Sequence, residues 1–523
     1  MRTGAATEKM LGALRLGLVL VLGGLPVLHL VVVALATGSE PAAADAWRLD
    51  ARVLALLARS IAIALGASLG ALALGLCIGI PLARVRFSGR SILALLLLAA
   101  FAVSPYWLAL GWLRGGLGTA AAHWLIGRPA AVAFVLATAY APAMALLVLL
   151  ALRSLPIGWE EAALLAAPLR RVLWSVLLPQ VLPLLATATL LVFALCFSDY
   201  AVASLLQVLT YPVEIFLLYA GAFAPAQAAR ACLPLLAVAA VTAALAGSLL
   251  GRTLARQWPA AVVGSWALTR RQRRGLLGLA FVAVAGSTAW PVFGLSSQVE
   301  ATTRTLAALH SGASALVNSA TVGVFSLVLA LTLGSVASGA IARTRPGTRP
   351  LLAMLLLLPV CLPDSAYAIA WVELAAVWPA ALREGIGRVP ALVPALCIAA
   401  RWTGAVALLV AIARLALPGR ALDAARLQER SALRRLVRVE LPLVAPVVLA
   451  TAAILFALSQ SAVGILVLTA PPGFEVASLR IDNLLHYGAR EQAIALALAS
   501  AASGAGVPLA LAWAARSVWG RLA

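Results

Sequence analysis

The chain of 523 residues contains one lysine, Lys9. A phosphate-cradling loop of the form GxxxxGK[ST] needs a lysine that reaches the β- and γ-phosphates. Lys9 stands in TEKM, so this chain is not an ATPase of that type. Charge of either sign is scarce. Charged residues make up 11% of the chain, against about 25% in soluble domains. The four histidines (His29, His123, His310, His486) are scattered, without the spacing of metal ligands. The five cysteines (Cys77, Cys196, Cys232, Cys361, Cys397) lie in or beside apolar runs and form no CxxC pair. They read as small buried hydrophobes and say little about redox compartment. We expect no metal and no cofactor in this chain. No cluster of nucleophile and base stands out, which argues against an intramembrane enzyme and against any catalytic residue.

What the chain has is apolar length. Hydrophobic residues account for 63% of it, and mean hydropathy is +1.04. They fall in blocks of about 20 or more, enough for a helix to cross about 30 Å of hydrocarbon. Twelve spans are expected, near 11–36, 56–83, 91–113, 130–152, 181–206, 230–251, 275–296, 316–342, 350–373, 391–413, 443–468 and 492–515. The fold class is therefore an all-α, polytopic helical membrane protein. The shorter run 212–223 reads as a helix at the outer surface. The N-terminal run resembles a signal peptide in its flanks, but it is too long for one and reads as a retained first span.

The net charge of +21 could suggest nucleic acid, but its distribution argues for topology. With the N-terminus inside, inner loops hold 26 Lys+Arg against 6 Asp+Glu, and outer loops hold 10 of each. That is the positive-inside pattern, and it places both termini in the cytoplasm. Lipid is the expected partner of the basic side, and no nucleic acid is expected. Within the spans remain Arg15, Arg59, Arg401, Asp199 and Asp364. Intramembrane charges face bundle interiors and find partners. Asp364 and Arg401, on consecutive spans, are expected to pair or to share a water-lined cavity near the seam. With Asp199, Ser198 and Ser461 they are the candidate translocation path.

One charged segment occurs twice. EEAALLAAPLRRVLWSVLLP runs over 160–179, and DAARLQERSALRRLVRVELP over 423–442. Each starts acidic (Glu160 and Glu161; Asp423), continues with a small pair (Ala162-Ala163; Ala424-Ala425), carries an arginine pair (Arg170-Arg171; Arg434-Arg435) and closes on Leu-Pro at Pro179 or Pro442. Apolar spacing predicts one packed face, through Ala162, Leu165, Leu169, Val172 and Leu173 in the first copy. The acidic start suits the helix dipole, and the closing proline is expected to end each helix before the next span. Beyond the loop, 60–112 aligns with 319–371: Ser60 with Ser319, Ala83-Arg84 with Ala342-Arg343, and Trp112 with Trp371. Phe193-Ala194-Leu195 and Ser198 match Phe456-Ala457-Leu458 and Ser461. The chain thus reads as two halves, 1–262 and 263–523. Six spans in each leave the halves parallel, about an axis along the membrane normal.

The repeated segment resembles the EAA loop of bacterial ABC importer permeases, and the chain resembles two such subunits fused. The resemblance implies the type I permease fold. It also implies a coupling role for both loops, with two copies of a cytoplasmic ABC ATPase that bind the ATP, and a periplasmic substrate-binding protein. It places the protein in the inner membrane. The family's loop glycine is replaced by Ala166 and Glu429, which puts the usual tight bend in question. Fused permeases are typical of ferric-iron and thiamine importers. The stretches Phe197–Phe216 and Ala470–Ala489 resemble the ferric-iron group more closely. Ferric iron is the expected substrate, with thiamine or an organophosphonate as alternatives. A twelve-span secondary transporter is the rival class, but it usually carries more carboxylates in its spans.

Overall fold

The computed structural model describes residues 2–36, 50–114, 124–155, 157–222, 225–254, 266, 268–297, 302–417, 427–429, 434, 436–487 and 490–522. All the regular structure among them is helical. Ten helices are long and apolar enough to cross a membrane: Met10–Ala36, Ala51–Arg84, Pro129–Arg153, Leu169–Ser198, Gln227–Gly251, Arg270–Ser296, Thr305–Arg343, Leu392–Leu415, Pro442–Ser461 and Glu491–Ala514. Two bent pairs bring the number to twelve if each counts as one span. The run near 212–223 forms the short helix Tyr211–Ala222.

The bent pairs occupy the third and ninth expected spans, 91–113 and 350–373. Arg90–Phe101 meets Pro105–Leu113 at 92°, and Pro346–Cys361 meets Asp364–Ala376 at 94°. Proline is the cause in both. It lacks the N–H that would continue the helix, and it pushes the preceding residue out of the α region. Pro105 opens the second arm of one pair, and Pro363 directly precedes that of the other.

The repeat continues into contacts. The Ser60 hydroxyl accepts the Tyr211 N–H at 2.8 Å, and the matching Ser319 hydroxyl accepts the Ala477 N–H at 2.8 Å. Arg90 donates to the carbonyls of Leu82 and Ala83 at 2.7 and 2.8 Å, and Arg349 to that of Ala342 at 3.3 Å. A π-helical turn precedes each Leu-Pro, at Leu173–Leu177 and Leu436–Glu440. Such turns are rare, so their recurrence at one offset marks a shared backbone path.

Packing across the halves is reciprocal. The sixth span lies on Arg349–Cys361, and the twelfth on Arg90–Phe101. Small residues permit this approach. A Cβ at Gly247 would stand 2.6 Å from the Met354 nitrogen, and one at Gly504 would stand 3.1 Å from the Ala102 carbonyl oxygen. The first span packs on the eighth, ninth and tenth, while the seventh packs on the second, third and fourth. Each half therefore lends its first span to the other. The division at 262/263 is one of sequence, and the packed bodies exchange an arm across it.

Candidate functional site

The first charged loop is built around an inward-facing acid. The helix Ile157–Ala166 opens it, with Glu160 in its first turn and 3% exposed. The Arg84 guanidinium lies 2.7 Å from the Glu160 carboxylate and also donates to the Leu152 carbonyl at 2.7 Å. The Trp266 Nε1–H donates to the other Glu160 oxygen. Ala163, Leu164, Ala167 and Leu169 pack against the same cluster as Val172 and Leu152. Leu169, Val172 and Leu173 pack as expected, while in the first helix Ala163 and Leu164 take the place expected for Ala162 and Leu165. Ala162 is exposed, and Leu165 is 92% exposed. The reason is Glu160: its ion pair fixes the helix rotation, so Glu161, Ala162, Leu165 and Ala166 face outward.

Two further expectations change. The helix ends at Ala166 rather than at Pro179. Pro168 forces the break after Ala167, so the bend is made with Ala166, not a glycine, at the end of the helix. From Leu169 the backbone then runs helically through the π turn into the fifth span, with Pro179 in the first turn of Leu178–Ser198. The π turn accommodates this proline inside the continuous helix: the Leu178 N–H bonds the Leu173 carbonyl, five residues back. Arg170 and Arg171 lie exposed on this second arm. In the second loop, Asp423, Ala424, Ala425 and Arg435 lie outside the described residues. Leu427 is 87% exposed, as Leu165 is, and Arg434 is exposed. Glu429 pairs with Arg438 at 3.0 Å, and Pro442 opens the eleventh span.

Asp364 and Arg401 meet as expected, in a direct ion pair. Arg401 is 1% exposed. Its Nε donates to the Pro359 carbonyl at 3.2 Å, and its Nη2 to those of Val360 and Leu362 at 3.1 and 2.8 Å. These carbonyls stand at the helix break, where intrahelical partners run out. One arginine therefore both pairs a carboxylate and caps a broken span. Ser198, from the other half, completes the group. Its hydroxyl donates to Asp364 at 2.7 Å, accepts the Asp364 N–H at 2.7 Å, and lies 3.3 Å from Arg401.

The other two path candidates stay outside this group. Asp199 accepts the Val202 N–H at 2.8 Å and caps the short helix Ala201–Leu205. Ser461, the repeat mate of Ser198, donates to Ala457 in its own helix at 3.2 Å. In the first half, the residue matching Asp364 is Pro105, which offers no carboxylate. Thr138 stands in the place of Arg401 and accepts the Trp112 Nε1–H at 3.2 Å.

Two contacts that sequence reasoning missed cross the seam in reciprocal fashion. Tyr106, after the first break, donates to Asp482 on the short helix Ala477–His486 at 2.9 Å. Tyr219, on the short helix Tyr211–Ala222, donates to Glu373, after the second break, at 3.1 Å. Tyrosine and carboxylate exchange sides between the two, so no residue-by-residue repeat reveals them. Because the two contacts are separate, the losses from Tyr106→Phe and Tyr219→Phe are expected to add in thermal unfolding, at about 1 kcal/mol each. A double variant no less stable than either single one would refute their independence.

Among the described residues, no three histidine, cysteine, aspartate or glutamate side chains lie close enough to hold a metal ion. No protein-family model matches the chain, and the search for similar curated proteins returned no match.

Proposed function

We propose that the chain is the fused permease subunit of a binding-protein-dependent ABC importer. It would pass substrate across the inner membrane by alternating access, driven by two copies of a separate ATPase. The observation that carries this reading is the repeated charged loop. Each copy leads into a span through a π turn, and each presents a bare leucine, Leu165 or Leu427. A single exposed leucine is ordinary. By the repeat offset Leu427 matches Leu164 and Leu165 matches Gln428, so each loop offers one bare leucine, one position apart in the repeat, for a pair of similar clefts. Glu161 and the Arg170-Arg171 pair flank the first leucine with charges for a polar rim, as protein interfaces have. A periplasmic binding protein would deliver the substrate, for which ferric iron is our choice.

Association is the direct test. With an ABC ATPase that co-purifies with the unaltered chain, Leu165→Asp and Leu427→Asp together are expected to lower co-purification at least about tenfold, with unchanged elution of the permease. Undiminished co-purification would refute docking at these loops. Uptake of labelled iron, thiamine and phosphonate by the complete system then selects the substrate. Thiamine uptake without iron uptake would overturn iron.

A further inference from the structure

The connector between the halves touches the first docking loop. Trp266 is 9% exposed and packs in the cluster that holds Leu82, Leu152 and Val172. Its backbone N–H donates to the Arg84 carbonyl at 3.0 Å, while its indole N–H donates to Glu160. Arg84 reaches Glu160 from the other side. Four elements therefore close on one buried carboxylate: the ends of the second and fourth spans, the docking helix and the connector. Three residues after Trp266, Thr269 caps the helix of the seventh span, with its hydroxyl on the Gln272 N–H and the Gln272 side chain on the Thr269 N–H. The indole-bearing residue is therefore close in sequence to the capped start of that helix.

We propose that Trp266 is a positioning residue for coupling. It fixes the rotation of the first docking helix through Glu160, and it makes the connector the link by which movement of that helix reaches the seventh span. The proposal rests on the importer reading for its purpose, but not for its geometry. The seventh span is the arm lent to the first half, so one displacement at the loop would reach the second, third and fourth spans on which that arm packs.

Two measurements separate the proposal from that reading. First, spin labels at Glu161→Cys and Arg273→Cys report the distance between docking helix and seventh span in the full chain alone. The distribution is expected to be narrow, and Trp266→Phe, which keeps a ring but removes the donor, is expected to broaden it at least about twofold. An unchanged distribution would overturn the proposal. Second, with the ATPase present, Trp266→Phe leaves the Arg84–Glu160 pair in place, and uptake per ATP hydrolysed, taken per bound ATPase, is expected to fall by roughly tenfold. Unchanged uptake per ATP would overturn the linking role. If the ATPase fails to bind the unaltered chain, the importer reading falls and the spin-label distances still decide the positioning. Should the Phe variant fail to fold, a Gly-Ser insertion after Trp266 slackens the connector with the indole retained. The same loss of uptake per ATP is expected, and full retention would overturn the link.

Discussion

Arg401→Met is expected to be the most damaging single substitution in the membrane-embedded part of the chain. It strands Asp364 beside Ser198 and uncovers the carbonyls of Pro359, Val360 and Leu362 at one stroke. Removing one member of a buried ion pair costs about 3–5 kcal/mol, and the uncovered carbonyls add to it in a setting without water. Asp364→Asn is expected to cost less, because Arg401 keeps its carbonyl partners. The double variant distinguishes pairing from capping. If the pair dominates, removing both charges restores about 1–3 kcal/mol relative to the sum of the single losses. If the capped break dominates, losses are additive and the double variant is no better than Arg401→Met. Thermal unfolding of the purified chain measures all three. Substitution of Ser198 by Ala tests the third member, with an expected loss of about 1 kcal/mol.

This group also shows where sequence was legible. Intramembrane charges are so costly that two of opposite sign on neighbouring spans point to each other, and Asp364 with Arg401 could be joined on that ground. Ser198 could be suspected only as a polar residue near the seam. Its partner lies 166 positions away in the other half, and its own repeat mate Ser461 does something else. The spans were legible because about 20 apolar residues leave few alternatives to a helix in lipid. Their bends were not, although Pro105 and Pro363 were visible. Proline inside a span can kink a helix slightly or break it, and packing chooses between them. The exchange of first spans was invisible for a related reason: hydropathy places a helix in the bilayer and says nothing of its neighbours.

The first charged loop carries the second large effect, and there the two adjacent acids part company. The sequence treated Glu160 and Glu161 alike, as the acidic start of the repeated loop. Burial of Glu160 against Arg84 turns the helix and leaves only Glu161 outside. Glu161→Lys is therefore expected to leave stability within about 0.5 kcal/mol, as surface changes do, and to weaken ATPase association. Glu160→Lys places a second cation against a guanidinium that is 1% exposed. Arg84→Met instead leaves Glu160 with the Trp266 donor alone, and the expected loss is about 3–5 kcal/mol. Replacing both Arg84 and Glu160 by Met removes the stranded charge, so most of that stability is expected to return. The double variant also frees the helix to rotate. Its stability should recover while ATPase association does not, because Leu165 no longer has a fixed direction. Recovery of both would show that the ion pair serves stability only, and that the loop finds its partner without help from Glu160.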